Sequence, residues 1–258
     1  MIILFLLAGL ALFVFMGYGL FTLSRKRTPD SFPSAWESLL SDEVLFYKEL
    51  TPKRKEFFKK RMMAFLTEVN VEAVGFDLSD KDKVFVAASA VIPIFNFGDW
   101  HYNNLDTVLI YPDYFNANLE YHSEGEDRII GGMVGTGQFE NHMILSRKAL
   151  HFGFNNKTDK GNTAIHEFVH LLDKMDGEVD GIPEQLLGKE NIVPWLDMMH
   201  TEMEAINNDT SDIRKYGGTS KIEFFAVAAE YFFERPDLFK RKHPELYKML
   251  EVCFVTGY

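Results

Sequence analysis

Two histidines and a glutamate fall within one helical turn in the segment NTAIHEFVHLLDKMDG, residues 162 to 177. Asn162 can cap a helix and Gly177 with Gly181 can end one, so helix is expected from residue 163 to about 175. On that helix His166 and His170 stand at i and i+4, and both imidazoles leave the same face. Two imidazoles so placed can converge on one metal ion, and Glu167 stands where zinc-activated water needs a general base. Ile165, Val169 and Leu172 take the neighbouring face and tie the helix to a core. Surface histidines on an acidic helix would share this spacing, so the chemistry turns on a third ligand.

Residue types leave two places for that ligand. In the HExxHxxGxxH pattern it follows closely after a turn glycine, but here those positions are Asp173 and Asp176. The second place is KIEFFAVAAEYFF, where Glu223 and Glu230 are seven residues apart and share nearly one face of an apolar helix. A carboxylate among Phe224, Phe225, Ala226 and Val227 is costly to bury unless paired or metal-bound, which favours a ligand there.

The elements that must position these groups are partly readable. PKRKEFFKKRMMAFLTEV, from Pro52, carries Phe57, Phe58, Met62, Phe65 and Leu66 at helical spacing, with a basic face read as solvated. Residues 81 to 98 are so uniformly apolar that helix and strand remain open. LDTVLIYP reads as a strand, residues 121 to 142 as an excursion around a hairpin, and NHMILSRKAL as a further short strand. Trp195, Met198, Met199 and Met203 mark another helix, and the segments beginning KIEFF and HPELY close the chain.

Composition narrows the classes. The 258 residues are 47% apolar and 25% charged, enough for one soluble domain with an appendage. With 38 acidic against 27 basic residues the net charge is -11, a field that repels phosphate backbones and argues against nucleic acid as a partner. Cys253 is the single cysteine, which excludes an internal disulfide and a Cys-ligated zinc site. Residues 1 to 23 carry no charged side chain and are long enough for a membrane anchor, while Arg25, Lys26 and Arg27 follow at once. The expected plan is a single-pass anchor (1–23) in the inner, cytoplasmic membrane, a linker (24–35), and a soluble domain (36–258) that carries the candidate zinc site and faces the cytoplasm.

Together, GNTAIHEFVHLLDKMDGEVDGIP, TVLIYP and KIEFFAVAAEYFF resemble the Mlc titration factor A family of zinc peptidases, whose catalytic core is similar to that of anthrax lethal factor. The likeness runs from about Trp36 to about Leu250. It implies an α+β, zincin-like fold of the gluzincin kind, mostly helical with a small mixed sheet. It further implies Zn²⁺ held by His166, His170 and Glu223, with Glu167 as base and Tyr216 assisting catalysis. Asp173 and Glu230 become candidates for orienting the imidazoles, and the strand at 142–147 for gripping an extended peptide. The resemblance implies a peptide or protein substrate, with aminopeptidase action on short peptides. The alternative it offers is a tethered regulatory protein binding a cytoplasmic partner such as a transcriptional repressor.

Overall fold

The computed structural model describes residues 30–121, 129–156, 158 and 160–256. The expected anchor over residues 1–23 lies outside the described residues, as do residues 24–29 of the linker. Among the described residues no helix is long and apolar enough to cross a membrane. From Ser31 onward the chain forms one compact unit.

Helices dominate. Trp36–Glu43 (α1) and the single turn Leu45–Lys48 (α2) lead to Pro52–Glu68 (α3), which opens with its proline in the first turn. Phe58, Met62 and Phe65 are buried as their spacing predicts. The basic face of α3 is not wholly solvated, because Arg61 is buried and donates to the carbonyls of Gly98 and Trp100.

The ambiguous stretch is a helix, Asp80–Ile94 (α4). Its start is fixed by a capping box: Asp82 N–H donates to the Ser79 hydroxyl, and Ser79 N–H to the Asp82 carboxylate. Every residue from Val84 to Ile94 is buried, so α4 is surrounded by protein and shows no amphipathic period.

Strands Asn70–Ala73 (β1), Thr107–Tyr111 (β2), Gly132–Val134 (β3) and His142–Ser146 (β4) form one mixed sheet in the order β1-β2-β4-β3. The pairs β1–β2 and β2–β4 are parallel, and the hairpin pair β3–β4 is antiparallel. Two expectations are corrected here. NHMILSRKAL is strand only to Ser146, whose hydroxyl accepts from Ala149 N–H and starts helix Arg147–Asn155 (α5). The strand expected to grip a peptide, residues 142–147, lies inside the sheet between β2 and β3 with both edges paired; the free edge on that side belongs to β3.

The remaining helices are Thr163–Asp173 (α6), Glu184–Leu187 (α7), Ile192–Asn207 (α8), Lys221–Glu234 (α9), Pro236–Lys242 (α10) and Pro244–Glu251 (α11). Helix α6 packs against α4, α5, α9 and β3. Ile165, Phe168, Val169 and Leu172 are buried, at roughly 2 kcal/mol of apolar stabilisation each. That burial offsets the cost of drawing His166 and Glu167 out of water on the same helix.

Candidate metal centre

Asn162 caps α6 through its side-chain oxygen, which accepts from Ile165 N–H at 3.2 Å. One turn on, His166 is 7% exposed and Glu167 5%. Helix α9 starts at the Ser220 cap, whose hydroxyl accepts from Glu223 N–H, so Glu223 stands in the first turn, where the helix dipole favours a negative charge. Packing of α6 on α9 brings Glu223 Oε2 to 3.0 Å from His166 Nε2 and 3.7 Å from His170 Nε2, and the two Nε2 atoms to 3.0 Å from each other. Among the described residues, these three are the ones placed to share a metal ion.

The second acid of α9 meets the other side of the same ring. Glu230, 1% exposed, lies with Oε1 2.7 Å from His166 Nδ1, accepts from the backbone N–H of Asn162, and is paired with Arg214. An Nδ1–H donated to Glu230 leaves the Nε2 lone pair of neutral His166 facing the Glu223 carboxylate and His170. Three electron-rich atoms then converge with no donor between them. A proton on His166 Nε2 could satisfy one of its two contacts, whereas a cation between the three satisfies all. Zinc bonds of about 2.0–2.2 Å in tetrahedral array separate ligands by roughly 3.3 to 3.6 Å, within the observed spread. The donor set of two imidazoles and a carboxylate fits zinc.

The electrostatics agree. Burial disfavours a charged His166, but Glu230, then Glu223, overcome it and raise its pKa to about 10. Burial also opposes the charge on Glu223, yet contacts with His166, His170 and Tyr216 hold its carboxyl far below the usual range. The space between the two carboxylates demands positive charge. Glu167, by contrast, is pushed upward by burial, the imidazoles opposing, which makes it a better proton acceptor than an exposed glutamate.

Tyr216 lies on the short turn Lys215–Gly218, with its ring 5.9 Å from that of His166 and near-parallel to it. Asp176 is not among the convergent groups; its carboxylate accepts from the N–H groups of Glu178 and Glu184. Asp173 orients no imidazole directly. It accepts from Gly181 N–H at 2.8 Å, and burial pushes its carboxyl up to about 6. Trp195 Nε1–H donates to the carbonyl of that glycine, whose positive φ of 80° suits glycine. A Cβ on Gly181 would fall 2.3 Å from the Lys221 carbonyl, so Asp173 fixes the exit loop of α6 directly against the start of α9, two residues before Glu223.

Two residues escape sequence reasoning. Arg214 sits in a loop with no periodicity to single it out. Gly132 is the place where β3 passes Glu167, since a Cβ there would lie 2.8 Å from Glu167 Cγ and 2.9 Å from its Oε1. A glycine within a strand that reads as a hairpin is the one signal the sequence carries.

A cavity of about 380 Å³ opens on the convergent atoms, lined by Met133, Val134, Val179, Tyr216 and Ile222 together with His166, Glu167, His170 and Glu223. A larger cavity, about 680 Å³, is lined by Phe97, Trp100, His101 and Met175 and shares only Lys174 with it. The smaller one holds the convergent side chains.

The chain is 30% identical over 230 residues to an uncharacterized protein of Synechocystis sp., covering 84% of this chain and 82% of that one. It is 27% identical over 229 residues to Mlc titration factor A of Pectobacterium atrosepticum (85% and 80% covered) and 26% over 236 residues to Mlc titration factor A of Escherichia fergusonii (86% of each). The family model described as glucose-regulated metallo-peptidase M90 matches residues 21–255, all but the two ends, and the chain belongs to that family.

Proposed function

We propose that the protein is a zinc-dependent peptidase that hydrolyses peptide bonds with Glu167 as base. The single observation that carries this reading is the convergence of His166, His170 and Glu223 beside a buried Glu167 at the floor of an open cavity. A zinc ion held by those three residues would supply Lewis acidity and acidify a water molecule. Glu167 takes the proton from the attacking water and hands it to the departing amine. Tyr216, across the cavity, donates a hydrogen bond to the substrate oxygen as negative charge develops on it. Glu230 holds the His166 ring with Nε2 turned inward. The free edge of β3 offers backbone groups to an extended peptide.

The apolar run of residues 1–23 followed by Arg25, Lys26 and Arg27 supports a single-pass inner-membrane anchor with this domain in the cytoplasm. A second reading, retention of a cytoplasmic regulatory protein such as a transcriptional repressor, is favoured by relatives named Mlc titration factor A. Aminopeptidase action on short peptides is the narrower form of the first reading.

The test is metal analysis with peptide cleavage before and after chelation. One zinc per chain, cleavage lost on chelation and restored by zinc is the expected result. Zinc bound with no cleavage across a broad peptide library would leave the regulatory reading standing.

A further inference from the structure

The convergent atoms stand between two joined cavities of different character. The first, already described, runs along Met133–Thr136 and is largely apolar apart from the metal-site residues. The second, about 390 Å³, shares Ile130, Gly132, His166, Glu167 and Tyr216 with it and continues past Tyr114, Thr163, Arg214 and Glu230. Lys174 lines the first and is engaged by Glu140 at 3.1 Å. In the second, Arg214 is the arginine or lysine among the described lining residues.

Arg214 shares its carboxylate partner, because Glu230 already serves His166 and the Asn162 N–H. The guanidinium also packs on Gly161, where a Cβ would lie 3.2 Å from its Cζ, so close approach holds it in place. The side chain as a whole is 39% exposed to the cavity side or solvent, so an incoming anion can reach it. A partly exposed guanidinium already held in place by one carboxylate binds a second at little ordering cost.

Chain direction says which part of a peptide arrives there. β3 runs from Gly132 to Val134 with β4 on one edge, and just before it the outward backbone groups of Ile130 are taken by Phe115. A peptide joining the outer edge of β3 in antiparallel register enters along Val134 and must leave the edge at Gly132, which also lines the second cavity. Residues after the scissile bond therefore pass Arg214.

We propose that the cavity beside Arg214 receives a carboxylate from the C-terminal side of the scissile bond, either an acidic side chain or the peptide's own terminal carboxylate. The proposal rests on the peptidase reading. It is tested with the zinc-loaded full chain and hexapeptides carrying Asp, Asn or Lys at each position around the cut, each made with a free or an amidated carboxyl end. Expected is a preference of about tenfold in kcat/KM for Asp over Asn, or for free acid over amide, in the first two positions after the cut. Whichever of those two comparisons shows the preference identifies the source of the carboxylate. Arg214→Gln brings the ratio close to one, and Arg214→Lys keeps part of it. A ratio near one in the wild type, an unchanged ratio in Arg214→Gln, or a preference confined to positions before the cut would overturn the proposal while leaving the peptidase reading intact. Failure to cut any peptide defeats that reading instead, and binding then decides. Zinc-loaded Glu167→Gln should bind the labelled acidic peptide about tenfold more tightly than its neutral twin, and equal binding would overturn the proposal.

Discussion

Two buried polar clusters share this domain, and they are built on opposite rules. Around Asp82, fully buried at the start of α4, donors surround one acceptor: Ser79 N–H at 2.9 Å, the Ser79 hydroxyl at 2.6 Å, Arg147 Nε at 2.8 Å, and His151 Nε2 at 2.6 Å. Every group finds a complement, and the cluster joins α4 to α5. At the other cluster, His166, His170 and Glu223 present acceptors to one another, and the Nδ1 of His170 is buried without a partner among the described residues. Folding stability explains the first arrangement. The second calls for positive charge among its acceptors, which is why the mismatch of donors and acceptors, and not charge and burial alone, marks a candidate site.

The comparison breaks most sharply at Glu167. Glu167→Gln should lower kcat on the order of a thousandfold, about 4 kcal/mol of barrier, with zinc content unchanged by metal analysis. Near-normal turnover would remove Glu167 from the chemistry. At the other cluster the effect is on stability instead: Asp82→Ala should cost about 3 kcal/mol in urea unfolding and leave zinc affinity alone. That is the low end for a broken buried ion pair, because Arg147 is partly exposed and can turn to water. If zinc affinity fell as well, the two clusters would be coupled rather than distinct.

Smaller effects sharpen the contrast. Glu230→Gln should weaken zinc binding about tenfold to a hundredfold, near 2 kcal/mol, in competition with a chromogenic chelator. An unchanged affinity would show that packing alone orients His166. The smallest expected effect is in acid. Burial favours a protonated Asp82, but His151, Arg147 and Ser79 overcome it and hold the carboxyl well below its usual range. Unfolded aspartate takes up its proton near pH 3.9, roughly, while the folded one does not, so the unfolded state binds more protons as pH falls. The stability from Asp82 is complete above about pH 4 to 5 and is lost progressively below it. A slope of stability against pH between 5 and 3 that is equally steep in Asp82→Asn would assign the acid sensitivity elsewhere.

How much of this was legible depends on which interactions are local. Helix α6 could be read because its cap, its period and its histidines all lie within about a dozen residues. So could β2, with its β-branched run, and α9, with two acids on an apolar face. Helix α4 could not, because a helix covered on all sides has no polar stripe to set its period. That the strand at 142–147 lies inside the sheet could not be read either, since sequence does not record that β2 and β3 flank it.

The sequence by itself determined that a helix would offer His166 and His170 on one face with Glu167 beside them, because i and i+4 geometry is fixed by the backbone. It also placed Glu223 and Glu230 on one face of a second helix, and left Asp173 and Asp176 as rivals. Only the tertiary structure decided among them. It set Glu223 and Glu230 on opposite sides of one imidazole, spent Asp173 on Gly181, and brought Arg214 and Gly132 into the site from a loop and a strand. Those choices depend on how α6, α9 and β3 pack, and packing is settled by contacts between residues far apart in the chain, which no local pattern encodes.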